Sequence, residues 1–227
     1  MKRADKEDGM SDRHGFYLRP QEWGVAVFTL TYTIGFTVWF LSQGNYEFIV
    51  YVVTMVLLIT LVGSNLRVAN FPPMMLWALS LWGLAHLAGG GVPVGDSVLY
   101  SYKLIDIAGS GEFTILKYDQ VVHAYGFAVT AWVLWYLMTY HYPVTRHSWT
   151  AYVYPVLGSI GLGCVNEIIE FIAVISVPDT NVGGYFNTAL DLVFNTAGAV
   201  VAMLLVGLSE RKARAAKSQT PVPPIPR

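Results

Sequence analysis

Charged residues are scarce in this chain. Asp, Glu, Lys and Arg make up 13% of its 227 residues, whereas soluble globular domains carry about 25%. With a formal net charge of −1 the chain offers no basic surface, so nucleic-acid binding is not expected. The one cysteine, Cys164, excludes an intrachain disulfide, and its apolar neighbours predict inert packing.

Short motifs of common enzyme classes are missing as well. The sequence has no H-E-x-x-H, no G-x-S-x-G, no P-loop and no dinucleotide-binding glycine pattern. Zinc proteases, serine hydrolases with a nucleophile elbow and nucleotide-binding enzymes are therefore not indicated.

Long apolar runs are what the chain has instead. Hydrophobic residues make up 54% of it, with a mean hydropathy of +0.47, and a run of about 20 apolar residues is long enough to span a bilayer. We predict an all-α polytopic membrane helix bundle with six transmembrane helices. The predicted segments are Trp23–Ser42, Tyr46–Ser64, Pro72–Gly91, Asp119–Tyr140, Ala151–Val177 and Asn187–Leu208.

The two ends of the chain differ from this middle part. Residues 1–22 mix both signs of charge and are predicted to form a cytoplasmic tail. Residues 209–227 are predicted to form a cytoplasmic tail, in which a basic extension of the last helix is followed by a proline-rich segment that is extended or disordered. Between them, residues 23–208 form the transmembrane domain, and residues 72–208 contribute its polar core.

Lys and Arg residues lie mostly on one side of the predicted bundle. Of the 14, only Lys103 and Lys117 fall on the other side. Cytoplasmic loops carry the excess of positive charge in membrane proteins, so we expect both termini in the cytoplasm. The chain is expected in a bacterial cytoplasmic (inner) membrane, among lipids, with membrane-protein partners left open.

Ionisable and amide side chains interrupt the apolar segments at a similar depth, in the outer half. Glu167 and Glu170 are three residues apart, so they share a helix face. The full set consists of His86 in the third segment, Asp119 and His123 in the fourth, Glu167 and Glu170 in the fifth, Asp179 in the following loop, and Asp191 and Asn195 in the sixth.

Such residues are costly in a bilayer unless they meet. An ionisable side chain at its centre costs about 2.5–3.5 kcal/mol. Small residues on the same faces, such as Gly126 and Gly198, let helices approach closely. We therefore expect the third to sixth helices to surround a polar pocket open to the outside. Carboxylates that close must share protons or need a cation to stay ionised together.

Each polar residue also has a structural interpretation. Asp119 could cap a helix and His123 could bond across helices, but we favour a metal-ligating or acid–base pair. Intramembrane glutamates favour a functional role over interhelical hydrogen bonds. The predicted metal ligands are Asp119, His123, Glu167, Glu170 and Asp191, the predicted catalytic residues are Glu167, Glu170 and His123, and the predicted supporting residues are His86, Asp179 and Asn195.

The longest connection, residues 92–118, is rich in tyrosine and apolar residues. It could fold over the outer pocket as a lid or a re-entrant segment, or it could lie on the membrane surface.

Five motifs in order resemble a known family: LAHLAGG (84–90), KYDQVVHAYGF (117–127), NEIIEF (166–171), PDT (178–180) and DLVFNTAG (191–198). The combination is similar to an uncharacterised bacterial family of multi-pass membrane proteins that includes YjdF. More distantly, D-x-x-x-H, a glutamate and D-x-x-x-N-x-x-G resemble VanZ-like proteins. The resemblance covers about residues 76–205 and implies a compact multi-helix membrane domain, without implying a reaction.

Three functions remain open at this point. The first is an enzyme in which a divalent metal ion activates water, or polarises a phosphoryl or acyl oxygen, of a lipid or cell-envelope intermediate. The second is a lipid-binding or glycan-binding protein or an accessory subunit of a membrane complex. The third is an ion-coupled or proton-coupled transporter, which the apolar inner halves of the helices disfavour.

Overall fold

The computed structural model describes residues 18–44, 46–105, 109–110, 113–176 and 184–218. Within them the chain is almost entirely α-helical. The helices are α1 (Pro20–Ser42), α2 (Tyr46–Ala69), α3 (Pro73–Gly91), α4 (Tyr118–His141), α5 (Thr150–Ser176) and α6 (Tyr185–Ser218). The last helix continues through the basic segment as far as Ser218, in agreement with the predicted helix extension.

Five of these six helices are long and apolar enough to cross a membrane. The exception in the described chain is α3, so the prediction of six spanning helices is wrong by this measure. Its 19 residues include Trp77, Trp82, His86 and three consecutive glycines at its end, which replace aliphatic side chains and lower its hydropathy. The all-α membrane bundle itself is confirmed.

Hydrogen bonds join α1 and α3 at both ends. At the start of α1, the guanidinium of Arg19 donates to the carbonyl oxygen of Phe71 at 3.2 Å. At its other end, the Trp39 indole donates to the carbonyl oxygen of Gly91 at 2.9 Å. These two contacts make α1 and α3 parallel and of similar extent.

An ion pair joins α1 to α2 at the end of the bundle where α1 begins. Glu22 is 1% exposed, and its carboxylate lies 2.6 Å from Arg19 and 3.0 Å from Arg67. Since Arg67 lies in the last turn of α2, α2 runs antiparallel to α1.

Two tyrosines align α3 with α4. The Tyr118 hydroxyl donates to the carbonyl oxygen of Ala85 at 3.0 Å, and the Tyr136 hydroxyl donates to that of Asn70 at 2.6 Å. The two helices are therefore antiparallel. Because α4 also packs on α5 and α6, it is the central helix of the second half of the chain.

The closest approach of two helices occurs between α4 and α6. A Cβ atom on Gly198 would overlap the backbone carbonyl of Ala124, which belongs to α4. A small residue on the polar face of α6 was predicted for this reason, and the contact confirms it. This approach brings Asp191 and Asn195 on α6 next to Asp119 and His123 on α4.

The described residues between α3 and α4 form a cap over the ends of these two helices. They contain two antiparallel two-residue pairings, β1 (Pro93–Val94) with β2 (Ser97–Val98) and β3 (Gly109–Ser110) with β4 (Phe113–Thr114), and a 3₁₀ turn at Leu99–Ser101. No α-helix occurs in the described part of this connection. A re-entrant helix, one of the alternatives, is thus not observed there.

Buried hydrogen bonds hold the cap in place. The ring of Tyr100 occupies the space that a side chain at Gly89 would need. Gln120, which is 0% exposed, accepts from the amides of Leu116 and Lys117 at 2.6 and 3.2 Å and donates to the carbonyl oxygen of Thr114 at 2.9 Å. The cap is therefore a packed part of the bundle.

Candidate metal centre

Three helices bring the predicted acidic residues and one histidine together. Asp119 and His123 lie one turn apart on α4, Glu167 and Glu170 lie on α5, and Asp191 lies on α6. The predicted buried cluster is therefore confirmed. Whether these residues ligate a metal or catalyse a reaction stays a prediction.

His123 lies at the centre of this cluster and is 7% exposed. Its Nε2 atom lies 3.5 Å from Asp119 Oδ1 and 3.9 Å from Glu170 Oε1. Its Nδ1 atom lies 3.9 Å from Glu167 Oε1. The imidazole is thus surrounded by carboxylates from two helices.

Asn195 is the hydrogen-bond partner of the His123 imidazole. Nδ1 lies 3.0 Å from Asn195 Oδ1, and an amide oxygen can only accept a hydrogen bond. With the Asn195 amide in this orientation, a neutral imidazole carries its proton on Nδ1 and presents the lone pair of Nε2 to the carboxylate oxygens of Asp119 and Glu170. A lone pair facing carboxylates is favourable only when a cation or a proton lies between them.

Glu167 has a buried carboxylate without hydrogen-bond partners in the described chain. Its exposure is 9%, and neither carboxylate oxygen has a hydrogen-bond partner among the described residues. Buried carboxylates are normally hydrogen-bonded or paired, because lost hydration must be compensated. The free oxygens of Glu167 therefore indicate a binding partner that the protein itself does not supply.

A second unpartnered oxygen lies on α6. Asp191 is 0% exposed; its Oδ2 accepts from Asn187 at 2.6 Å, but its Oδ1 has no partner in the described chain.

The cluster contains two groups of three residues, and within each group the possible ligand atoms all lie within 4.8 Å of one another. The first group consists of Asp119, His123 and Asp191, and the second consists of His123, Glu167 and Glu170. Carboxylate oxygen with one imidazole is a donor set that suits Mg²⁺, Mn²⁺, Fe²⁺ or Zn²⁺.

Asn187 and Lys117 are functional candidates that the sequence analysis missed. The Asn187 amide donates to Asp119 Oδ2 at 3.2 Å as well as to Asp191, and its Oδ1 accepts from Lys117 Nζ at 2.9 Å. Asn187 precedes Asp191 by one helical turn, so extending the Asp191–Asn195 pattern by four residues would have found it. Lys117 gave no such signal.

Asn166 and Gly163 support the cluster from α5. Asn166 donates to Glu170 Oε1 at 2.8 Å, which fixes that carboxylate. A Cβ atom on Gly163 would lie 2.9 Å from the amide nitrogen of Asn195. The glycine therefore leaves room for the residue that orients His123.

His86 lies beside the cluster and is held by the cap. The Tyr100 hydroxyl lies 2.6 Å from His86 Nδ1 and donates to the His86 carbonyl oxygen at 2.8 Å. His86 and His123 line a common narrow cleft, whose wall consists of Trp82, His86, Val122, His123, Phe127 and Asn166. Asp179, the remaining predicted supporting residue, lies outside the described residues.

The sequence as a whole was also compared with known protein families. A family model described as a predicted membrane protein, DUF2238, matches residues 24–212. The chain belongs to this family. The match covers all residues of the cluster, the whole of α4 and α5, and α6 as far as residue 212.

No curated protein and no solved structure matches the chain. Family membership shows a membrane protein over most of the chain, and it assigns no reaction.

Proposed function

We propose that this DUF2238 protein is a metal-dependent membrane enzyme whose substrate is a lipid or cell-envelope intermediate. The observation that carries the proposal is the buried carboxylate of Glu167, both of whose oxygens lack a hydrogen-bond partner in the described chain. The Oε1 atom of Glu167 lies 3.9 Å from Nδ1 of His123. The same nitrogen lies 3.0 Å from Asn195 Oδ1.

The electrostatics of the cluster support a bound cation. Four carboxylates lie around one imidazole, and removing charges of one sign from water costs several kcal/mol per ion unless they are compensated. A divalent cation held by His123 and these carboxylates would compensate part of this charge. The hydrogen bond from a metal-ligating histidine to an amide oxygen is a usual companion of such sites.

The chemistry follows from the ligand types. A divalent cation held by carboxylates and an imidazole polarises a phosphoryl or acyl oxygen, and it lowers the pKa of a bound water. The neighbouring carboxylates accept the proton that the water releases. Hydrolysis or transfer of a head group or an acyl group is therefore the reaction class proposed here.

The cap supports a lipid as the substrate. Leu104, Ile105 and Phe113 are exposed on it, close in the chain to Lys117 and the outer end of α4. Apolar side chains there can contact acyl chains, while the acidic cluster lies one to two turns deeper. We place this end on the extracytoplasmic side of a bacterial inner membrane, with both termini cytoplasmic, because Arg19, Arg67 and the basic end of α6 lie at the opposite end.

A transport function has less support. Among the described residues of α3 to α6, the buried polar side chains on the other side of the cluster are the hydroxyls of Ser80, Ser159 and Thr139. No buried ionisable group of those helices continues the path toward the cytoplasmic end. We include the resemblance of the motifs to YjdF-like and VanZ-like proteins in this proposal, but the proposed reaction does not depend on it.

Metal analysis of the full chain, purified without chelators, tests the proposal. The wild-type protein should retain a stoichiometric divalent ion, and Glu167→Gln should retain less. Glu210→Gln is the matched control, since Glu210 pairs with Arg146 at 2.8 Å at the other end of α6. A metal-free wild-type protein that stays metal-free after Mn²⁺ or Zn²⁺ is added would refute the metal centre.

Activity is measured separately from metal binding. Metal-loaded protein in vesicles of bacterial polar lipids should release a water-soluble product, and Glu167→Gln should not. Retention of lipid by the loaded protein without any product would instead favour the binding function.

A further inference from the structure

We infer that the cluster holds two divalent cations side by side, one in each carboxylate pair. The inference rests on the proposed metal centre and extends it. The inner pair is Glu167 and Glu170 on α5, and the outer pair is Asp119 on α4 and Asp191 on α6. His123 lies between the two pairs and belongs to both groups of converging ligand atoms.

Each pair contains a buried carboxylate with at least one oxygen that lacks a hydrogen-bond partner in the described chain. In the inner pair, Glu167 is 9% exposed and neither oxygen has a hydrogen-bond partner in the described part of the chain. In the outer pair, Asp191 is 0% exposed, and its Oδ1 likewise lacks a partner there. One cation bound to either pair would leave the free oxygens of the other pair without compensation.

The charge of the four carboxylates also indicates two divalent cations. The four carboxylates carry four negative charges when ionised, and a single divalent cation compensates half of them. Among the described residues, the cationic side chain that reaches the network is Lys117, through Asn187 at 2.9 Å. Asn187 in turn donates to both members of the outer pair. Two divalent cations balance four carboxylates, whereas one requires that two of the acids stay protonated.

His123 can serve only one of the two ions. Its Nδ1 is engaged by Asn195 at 3.0 Å, which leaves Nε2 as the one nitrogen with a lone pair. Nε2 faces one oxygen from each pair, Asp119 Oδ1 at 3.5 Å and Glu170 Oε1 at 3.9 Å. The two pairs are thus adjacent, and ions bound in them are neighbours.

Two neighbouring cations would restrict the class of substrate on which the proposed site can act. Metal ions about 3.5–4 Å apart stabilise the attacking and the leaving oxygen of an in-line displacement at phosphorus. In such a step, water attacks phosphorus and loses a proton to a neighbouring carboxylate. The bond from phosphorus to the leaving oxygen breaks, and the leaving alcohol or phosphate takes up a proton. A phosphate ester or diphosphate on a lipid is therefore the favoured substrate.

The ion count of the full-length protein tests this inference. Wild-type protein is loaded with Mn²⁺ in detergent, freed of excess metal and assayed for manganese and protein. We expect two ions per chain and an electron paramagnetic resonance spectrum of exchange-coupled Mn²⁺. Asp191→Asn and Glu167→Gln should each retain one ion and give the six-line spectrum of isolated Mn²⁺, while the control Glu210→Gln retains two.

The outcomes separate this inference from the proposed function. One uncoupled ion in the wild type overturns the pair of ions and leaves the metal centre standing, whereas no ion overturns both. If Asp191→Asn does not fold, as judged by size-exclusion chromatography, Asp119→Asn replaces it for the outer pair. The wild-type count and its coupling decide the question even without either variant.

Discussion

His123 Nδ1 lies 3.0 Å from Asn195 Oδ1, in a contact that joins α4 to α6 in the interior of the bundle. Asn195 is 1% exposed, so no water replaces this acceptor. The contact holds the His123 ring so that Nε2 faces Asp119 and Glu170. The proposed binding of a cation therefore depends on a residue that is not itself among the proposed ligands.

Replacing Asn195 by alanine should weaken metal binding without removing a ligand. Loss of a residue that orients a ligating histidine typically costs roughly 10–100-fold in affinity. Titration of metal-free protein with Mn²⁺ or Zn²⁺ measures the change, and Asn65→Ala, at an exposed position of α2, is the control. Unchanged affinity in folded Asn195→Ala would show that His123 is not a ligand.

Gly198→Ala should destabilise the packing of α4 on α6. The added methyl group would overlap the backbone carbonyl of Ala124, and a backbone atom cannot move aside as a side chain can. Overpacking of this kind costs about 1–3 kcal/mol. Thermal unfolding in detergent should show a lower Tm for Gly198→Ala than for Gly161→Ala, because a Cβ atom at Gly161 meets nothing within 4 Å. Equal Tm values would contradict the close approach.

Tyr100→Phe should loosen the cap while leaving the ring in place against Gly89. The variant loses the hydroxyl contacts with His86 at 2.6 and 2.8 Å, and one buried hydrogen bond contributes about 1 kcal/mol. Hydrogen exchange of residues 97–105 should become faster, with no change at the far ends of α5 and α6. Identical exchange in both proteins would mean that Tyr100 does not anchor the cap.

The same tyrosine gives a dependence on alkaline pH. Burial, followed by the negative charge of Asp119, raises the pKa of the Tyr100 phenol well above its ordinary value of 10.0. Because the folded pKa exceeds the unfolded one, its contribution to stability is complete below about pH 10 and decreases above it. Unfolding measured from pH 8 to pH 11 should show a smaller alkaline loss for Tyr100→Phe than for the wild type.

The cap should lie outside the cytoplasm. In a Cys164→Ser background, a cysteine at the exposed position Asp96 should react with a membrane-impermeant maleimide on intact spheroplasts, and one at Ser218 should react only after lysis. The positive charge at the opposite end of the bundle is the reason. The reverse pattern would invert the orientation and with it the side from which a substrate enters.

The helices of this protein could be predicted from its sequence because hydropathy is a local property. Apolar runs of about 20 residues located all six helices, with most ends within a few residues of those observed. The number of spans could not be fixed in the same way. In α3, the Trp, His and Gly residues that pack against Phe48, Tyr51 and Tyr100 also lower the hydropathy of the helix.

The members of the cluster could be predicted as well, because polar residues in a bilayer are costly enough to be drawn together. Their positions along helices of alternating direction predict one common level for the cluster, whose members are Asp119, His123, Glu167, Glu170 and Asp191. The partners of these residues were harder to predict. Asn187 had a signal one turn before Asp191, whereas Tyr100 reaches His86 through the fold of a long connection that has no periodic pattern.

The sequence by itself determined that the chain is a membrane helix bundle and that its acidic residues and one histidine lie at a similar depth in the membrane. Both conclusions follow from hydropathy and helical spacing, which depend only on the order of the residues. Only the tertiary structure decided that His123 Nδ1 contacts Asn195, that Glu167 and Asp191 keep oxygens without a hydrogen-bond partner among the described residues, and that the acids form two groups around His123. Those properties depend on distances between side chains of different helices, and the contact of Gly198 with Ala124 sets how near those helices come.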